Sequence, residues 1–229
     1  MNNDAVKEPL LLTIAVLGGT GREGKGLAYR WAKAGYKILI GSRSSERAVT
    51  AASEIMELAE GDTSVVGTSN REAAQLAEIV VLTVPYAAHR ETLESVKDVL
   101  KDKLLIDVTV PLAPGKVTKA QMPHAGSAAQ EAKEIVGEGV EVVAAFQNTS
   151  HELLLTDEEV DCDVLVTGTT REARAEALTL VEAAGLTGWD AGPIENSMVV
   201  EGLTSVLINI NKRYGSTHAG IKITGVKKA

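Results

Sequence analysis

The stretch "IAVLGGTGREGKGLA", residues 14–28, places five glycines in the nine positions from Gly18 to Gly26. An apolar run without alternation precedes them and reads as a strand buried on both faces. Leu27, Ala28, Trp31 and Ala32 follow at the spacing of a helix core face, and Gly35 marks a stop. Strand, glycine cluster and helix in that order leave few architectures open. In this context Gly19-Thr20-Gly21-Arg22-Glu23-Gly24 fits G-x-G-x-x-G, the fingerprint of a dinucleotide site. The first glycine permits the tight turn, the second lets backbone approach a pyrophosphate, and the third lets helix and strand pack closely. The helix N-terminus then offers unpaired N–H groups to the anion. The alternative is a plain glycine turn.

The same rhythm continues. "KILIG" is a second strand, and "SSERAVTAASEIMELAEG" a helix capped by Ser44 or Ser45 and closed by Gly61. "SVVGTS" is a third strand, followed by "NREAAQLA", a helix capped by Asn70. "EIVVLTVP", "KLLIDVTV" and "EVVAAF" are further strands, with helices near residues 87–100 and in "SAAQEAKEIVG". Strands alternating with helices give an α/β class, a Rossmann-type doubly wound, mostly parallel sheet. Near residue 151 the pattern changes to one more strand, "DCDVLVTG", and two helices, "TREARAEALTLVEAAG" and "ENSMVVEGLTSVLININKRY". The expected division is 10–150 for the nucleotide-binding domain and 151–229 for a small, mainly helical C-terminal domain. The last helix is apolar on more than one face, so it is expected to be buried, against a second subunit.

A carboxylate at the end of the second strand would bind a ribose 2′-hydroxyl. Here "ILIGSRSSER" offers Ser42, Arg43 and Arg47 instead. A hydroxyl and two guanidiniums suit a 2′-phosphate, which favours NADP over NAD, although most arginines are simply solvated. "LTVP" and "DVTVP" end strands at the carboxyl edge, where ligands lie in open α/β sheets. Thr83, Val84, Pro85 and Tyr86 are therefore candidates to line the cofactor channel, with Tyr86 equally suited to the edge of the core.

A net charge of −8 argues against a nucleic-acid surface. One cysteine, Cys162, and four scattered histidines argue against a metal site and fit a reducing, cytoplasmic setting. "LLLTIAVL" is too short to cross a bilayer.

Taken together, "VLGGTGREGKGLA", "GSRSSERA", "VVLTVPYAA" and "DAGPIENSMVVEGLTSVLININ" resemble the NADPH-dependent reductases of coenzyme F420, a deazaflavin. The likeness runs from about Ile14 to Ile223. It implies reversible hydride transfer between C4 of the NADP(H) nicotinamide and C5 of the deazaflavin. It also implies a cleft between two domains, within a homodimer. By position, the resemblance sets Thr20, Arg22 and Glu23 by the pyrophosphate and Ser42, Arg43 and Arg47 by the 2′-phosphate. It sets "AAFQNTS", including Ala145, where nicotinamide meets deazaflavin; Gln147, Asn148 and Thr149 are the candidates to position the rings, with Asn148 and Thr149 equally suited to be capping and turn residues after the strand. Archaeal members of the family carry His where Gln147 stands, and Gln147 cannot take up a proton near neutral pH.

Such chemistry asks the protein for position rather than for a nucleophile. His151, next to the ring segment, is the candidate proton donor among the histidines. The basic run Lys212, Arg213, Lys222, Lys227 and Lys228 either draws the anionic arm of the deazaflavin or is a solvated terminus. Two rival readings keep the scaffold: an NADPH-dependent imine or ketone reductase, and an NADPH sensor without turnover.

Overall fold

The computed structural model describes residues 12–61 and 63–227. Leu10 and Leu11 of the first apolar run, and Lys228, lie outside them. Strand β1 (Thr13–Leu17) sends Ile14 and Val16 to one face and Ala15 and Leu17 to the other, all fully buried. Each face therefore needs its own cover. On one side lie α1 (Arg22–Lys33) and α2 (Ser45–Ala59), with Leu27, Trp31 and Ile55 in that core. On the other lie α3 (Asn70–Leu76), α4 (Tyr86–Val96) and α5 (Ala128–Val136), with Ala73, Leu93 and Ala129. Between them run β2 (Lys37–Ser42), β3 (Val65–Ser69), β4 (Ile79–Leu82), β5 (Leu104–Asp107) and β6 (Glu141–Ala144).

The sheet order is β3-β2-β1-β4-β5-β6, parallel throughout, so the direction of winding reverses between β1 and β4. A crevice opens at such a reversal beyond the carboxyl ends of the strands. After β6 come a short helix α6 (His151–Leu154), β7 (Asp163–Gly168), α7 (Arg171–Ala183), β8 (Thr187–Pro193) and α8 (Ser197–Tyr214). β7 joins β6 antiparallel and β8 joins β7 parallel, so the same sheet runs on through the C-terminal third beside its helices.

One local expectation differs from what is found. The cap of α3 is Ser69, whose hydroxyl accepts from Glu72 N, while Asn70 Oδ1 accepts from Gly18 N at 3.3 Å. A residue one step earlier had the extended backbone a cap needs, which freed Asn70 to anchor the glycine loop. Helix α8 buries Ser197, Val200, Glu201 and Ser205 but exposes Met198, Val199, Val206 and Ile210, so within the chain it is only half covered.

The C-terminal third is fastened to α1 by polar contacts. The Arg30 guanidinium donates to the carbonyls of Leu153, Leu154, Thr156, Glu158 and Ala184, at 2.7–3.2 Å. The Trp31 indole donates to Leu180 O at 2.8 Å, and its ring meets that of Phe146 edge to face at 5.8 Å. Arg30→Ala should cost about 2–4 kcal/mol by stranding these carbonyls, and lower the midpoint of thermal unfolding by roughly 5–10 °C. Arg30→Lys should recover only part, since an ammonium cannot reach five acceptors. A melt of the Ala variant indistinguishable from wild type would show that water serves these carbonyls equally well.

Candidate active site

The crevice is set by how closely β1 and β4 pass at their carboxyl ends. Leu17 O accepts from both Thr83 N, at 3.0 Å, and Thr83 Oγ1, at 2.9 Å. The loop after β1 fits above this only because it lacks side chains. A Cβ on Gly19 would lie 2.7 Å from Val16 O, and one on Gly24 would lie 2.6 Å from Thr83 Oγ1 and 2.7 Å from Gly19 Cα. Gly18 adopts φ +72°, where a side chain is strained, and its Cβ would strike Val84. Gly21 is different. A Cβ there would meet nothing nearer than Gly18 O, at 3.5 Å, so protein packing does not require glycine. It stands exposed at the N-cap of α1, which no side chain caps, and faces the cleft. By contrast Ser44, Ser69, Ser127 and Thr170 cap α2, α3, α5 and α7. Bare N–H groups and a missing side chain on the cleft side are what an approaching phosphate needs.

A cavity of about 590 Å³ extends from this point along the crevice. Thr20, Gly21, Arg22 and Glu23 border it from the α1 side, Ser42, Arg43 and Arg47 from the end of β2, and Thr83, Val84, Pro85 and Tyr86 from the end of β4. Ser42 is buried, with its Oγ accepting from Ser44 N at 3.2 Å, while Arg43 and Arg47 are exposed and form no ion pair among the described residues. The expected 2′-phosphate residues thus converge on one end of the cavity. Gly19, Gly24 and Ala145 are placed differently. All three are buried behind the cleft, the glycines as packing positions and Ala145 in the core.

A second cavity, about 380 Å³, opens between the β6 end and α8. Gln147, Asn148 and Thr149 line it, facing Thr204, Leu207 and Ile208 of α8. The two cavities share Glu23, Val108, Val110 and Leu112, so they form one continuous cleft. Phe146 makes the turn into it with φ +72°, a left-handed conformation costing about 1–3 kcal/mol in a non-glycine residue. Its ring, locked against Trp31, helps hold that strain. Gln147 Nε2 donates to Asp107 O at 2.7 Å, and Asn148 Nδ2 donates to Val200 O at 3.0 Å. Gln147 Oε1, Asn148 Oδ1 and Thr149 Oγ1 remain buried without a partner, as does Glu23 Oε1. Four orphaned polar oxygens around one cleft are costly unless something that binds there satisfies them.

Beneath the cleft lies a polar network that the sequence did not announce. His89 is fully buried, its Nε2 2.7 Å from Asp107 Oδ2, while Asp107 Oδ1 accepts from Thr109 N. His89 sits in the first turn of α4 and points into the core. Glu131 accepts from Tyr86 Oη at 2.7 Å and from Arg90 at 2.5 Å, and Tyr86, desolvated and bonded to that carboxylate, is pushed up to about 12. Tyr86 combines both expected roles, with its ring on the cavity and its hydroxyl tied to the core. Glu201 of α8 is fully buried and accepts from Ala128 N and Ala129 N, at 2.7 and 3.1 Å, so it caps α5 from another element. Burial, and the Asp107 charge after it, push this carboxyl up to about 8 despite those two N–H bonds. An acid inside the apolar run "MVVEGLTSVLINI" was the available signal for Glu201. For His89 and Glu131 no comparable signal exists.

His151 borders the second cavity, with its Nε2 3.5 Å from Arg22 Nη1. Of the basic run, Lys222 pairs with Asp161 at 2.6 Å, and the backbone beside it is tied to β7 by Asp163 N to Ile221 O.

A model of the family described as NADP oxidoreductase, coenzyme F420-dependent, matches residues 13–111. The chain is 43% identical over 224 residues to an F420-dependent NADP reductase of Methanothermobacter thermautotrophicus, covering 95% of this chain and 97% of that one. It is 38% identical over 224 residues to the enzyme of the same name from Methanocaldococcus jannaschii, covering 94% of this chain and 100% of that one. Among solved structures, one from Arthrobacter sp. FB24, provisionally titled an F420-dependent NADP reductase, superposes with a TM-score of 0.78 at 24% identity. It covers 93% of this chain and 99% of its own. A Plasmodium falciparum pyrroline carboxylate reductase with NADP bound gives a TM-score of 0.57 at 16% identity, over 89% of this chain and 66% of that one. These structural likenesses establish the fold.

The raised Glu201 carboxyl ties stability to pH. Above about 4.5 the unfolded chain releases this proton while the folded chain keeps it, up to about 8. Stability therefore falls as pH rises through that window, by at most about 1.4 kcal/mol per pH unit from this group, and levels off above it. Glu201→Gln should remove that slope from urea unfolding curves. Parallel pH profiles for the two proteins would contradict the assignment.

Proposed function

The chain belongs to the family of coenzyme F420-dependent NADP oxidoreductases, and from that premise we propose how its cleft divides the work. The reaction is hydride transfer between NADP and coenzyme F420. When bound, the nicotinamide supplies or accepts the hydride at C4 and the deazaflavin does so at C5. The observation that carries the assignment of residues is the continuity of the two cavities through Glu23, Val108, Val110 and Leu112. Two flat ligands entering from opposite ends approach each other at that junction.

In this reading Thr20, Gly21 and Arg22 hold the pyrophosphate at the N-terminus of α1. Ser42, Arg43 and Arg47 take the 2′-phosphate, and Thr83, Val84 and Pro85 wall the channel. Gln147, with its amide nitrogen spent on Asp107 O, presents an acceptor to a ring N–H. Asn148 is held by Val200 O and Thr204 Oγ1, and Thr149 adds a hydroxyl. Their work is orientation and exclusion of water, which for reacting atoms held in contact is the main effect available. Residues 151–229 complete the deazaflavin side through α6 and α8. No helix among the described residues is long and apolar enough to cross a membrane. We place the enzyme in the cytoplasm on its single, buried cysteine. The stripe Val199, Val206, Ile210 and Tyr214, exposed along one side of α8, supports a homodimer through that helix.

The test is to mix the protein with oxidised coenzyme F420 and either NADPH or NADH and follow the visible deazaflavin absorbance. NADPH should bleach it and NADH should do so far more slowly. Arg43→Ala and Arg47→Ala should each weaken NADPH binding ~10–100-fold, as the loss of a charge-assisted contact does, and barely affect NADH. Equal losses for both cofactors would remove Ser42, Arg43 and Arg47 from the 2′-phosphate site.

A further inference from the structure

Reduction of the deazaflavin requires one proton besides the hydride, and the ring segment Gln147, Asn148 and Thr149 carries no titratable group. Glu23, the second residue of α1, borders both cavities at their junction. One of its carboxyl oxygens, Oε1, is buried without a hydrogen-bond partner, and no basic side chain among the described residues pairs with it. On its own helix, Arg22 points to His151 and Lys25 pairs with Glu54 of α2. His151 and Glu152 face the cleft from α6, Arg43 and Arg47 from the β2 end, and Tyr86 from α4.

We infer that Glu23 enters the cofactor complex as a neutral carboxylic acid and is the proton donor that accompanies hydride transfer to the deazaflavin. The inference rests on the function proposed above. Burial pushes this carboxyl up to about 8 in the free protein. A pyrophosphate at the N-terminus of the same helix adds negative charge beside it and holds the proton more firmly. In the forward step the hydride carries two electrons from nicotinamide to deazaflavin. The Glu23 O–H bond breaks, an N–H bond forms on the deazaflavin ring, and Glu23 is neither oxidised nor reduced. The carboxylate left behind faces the nicotinamide just as that ring becomes a cation, so charge is conserved within the cleft. Water from the open side returns the proton after product release, and the reverse reaction runs the same step backwards.

Two measurements test this, the first without deazaflavin. Binding of NADPH, whose nicotinamide is uncharged, is followed by calorimetry at about pH 9 in buffers of different ionisation enthalpy, which counts protons taken up. Wild type should take up close to one proton, Glu23→Gln none, and His151→Ala as many as wild type. Equal uptake in wild type and Glu23→Gln, or none in wild type, overturns the protonation state. The second is single-turnover reduction of the deazaflavin near pH 7. Glu23→Gln should be slowed ~10²-fold, with Glu23→Asp restoring part of the rate. A Glu23→Gln rate within about threefold of wild type overturns the donor role. If wild type takes up the proton yet never reduces the deazaflavin, the proposed function fails and proton delivery fails with it.

Discussion

Everything in the cleft depends on how near the end of β1 comes to the end of β4. The double hydrogen bond from Thr83 to Leu17 O draws the two strand ends together, and Gly19 and Gly24 let α1 descend onto them without a side chain between. From that contact follow the position of the α1 N-terminus, the line of Thr83, Val84 and Pro85 along the channel, and the placement of Glu23 at its far end. Widening it by one methyl at Gly24 would push α1 away from Thr83 and misplace all three together. Asn70 supports the same loop from α3, through the bond from Gly18 N.

The first half of this arrangement was legible in the sequence because it is built from local rules. The glycine spacing, the unalternating strands and the Ser42-Arg43 pair each announce themselves within a few residues. The second half was less so. β8 reads "TGWDAGP", a run with glycines and proline rather than a β-branched pattern, and it forms because β7 pairs with it, a tertiary effect that propensity does not carry. Its presence extends the sheet into the C-terminal third. His89, Glu131 and Arg30 were equally hidden, since each acquires its role from partners far away in the chain: Asp107, Tyr86 and a row of carbonyls from Leu153 onward. The glycines divide as their order in the motif suggests: Gly21 stands open on the cleft, whereas Gly19 and Gly24 lie where a side chain would collide with neighbouring strand and loop atoms.

The cost of the site is visible in its buried polar groups. Asp107, Glu131 and Glu201 lie below the floor, and Gln147, Asn148 and Thr149 keep unsatisfied oxygens above it. Phe146 adds a left-handed backbone at the turn. A core of leucines would be more stable here, but it would fix neither the direction of the Gln147 amide nor the tilt of α8 over the second cavity. Ser127 and Ser197 touch across that junction at 2.6 Å beside Glu201. The polar floor thus sets the geometry of the roof.

Direct contact of the two hydride carriers is the central claim, and isotopic labelling tests it most plainly. NADPH carrying deuterium on the transferred position of C4 is reacted with oxidised coenzyme F420 in ordinary water, and the product is read by mass spectrometry. A continuous cleft predicts that one face of C4 delivers its deuterium quantitatively to C5. Loss of the label to solvent, or transfer from both faces alike, would contradict two rings held together between α1 and α8.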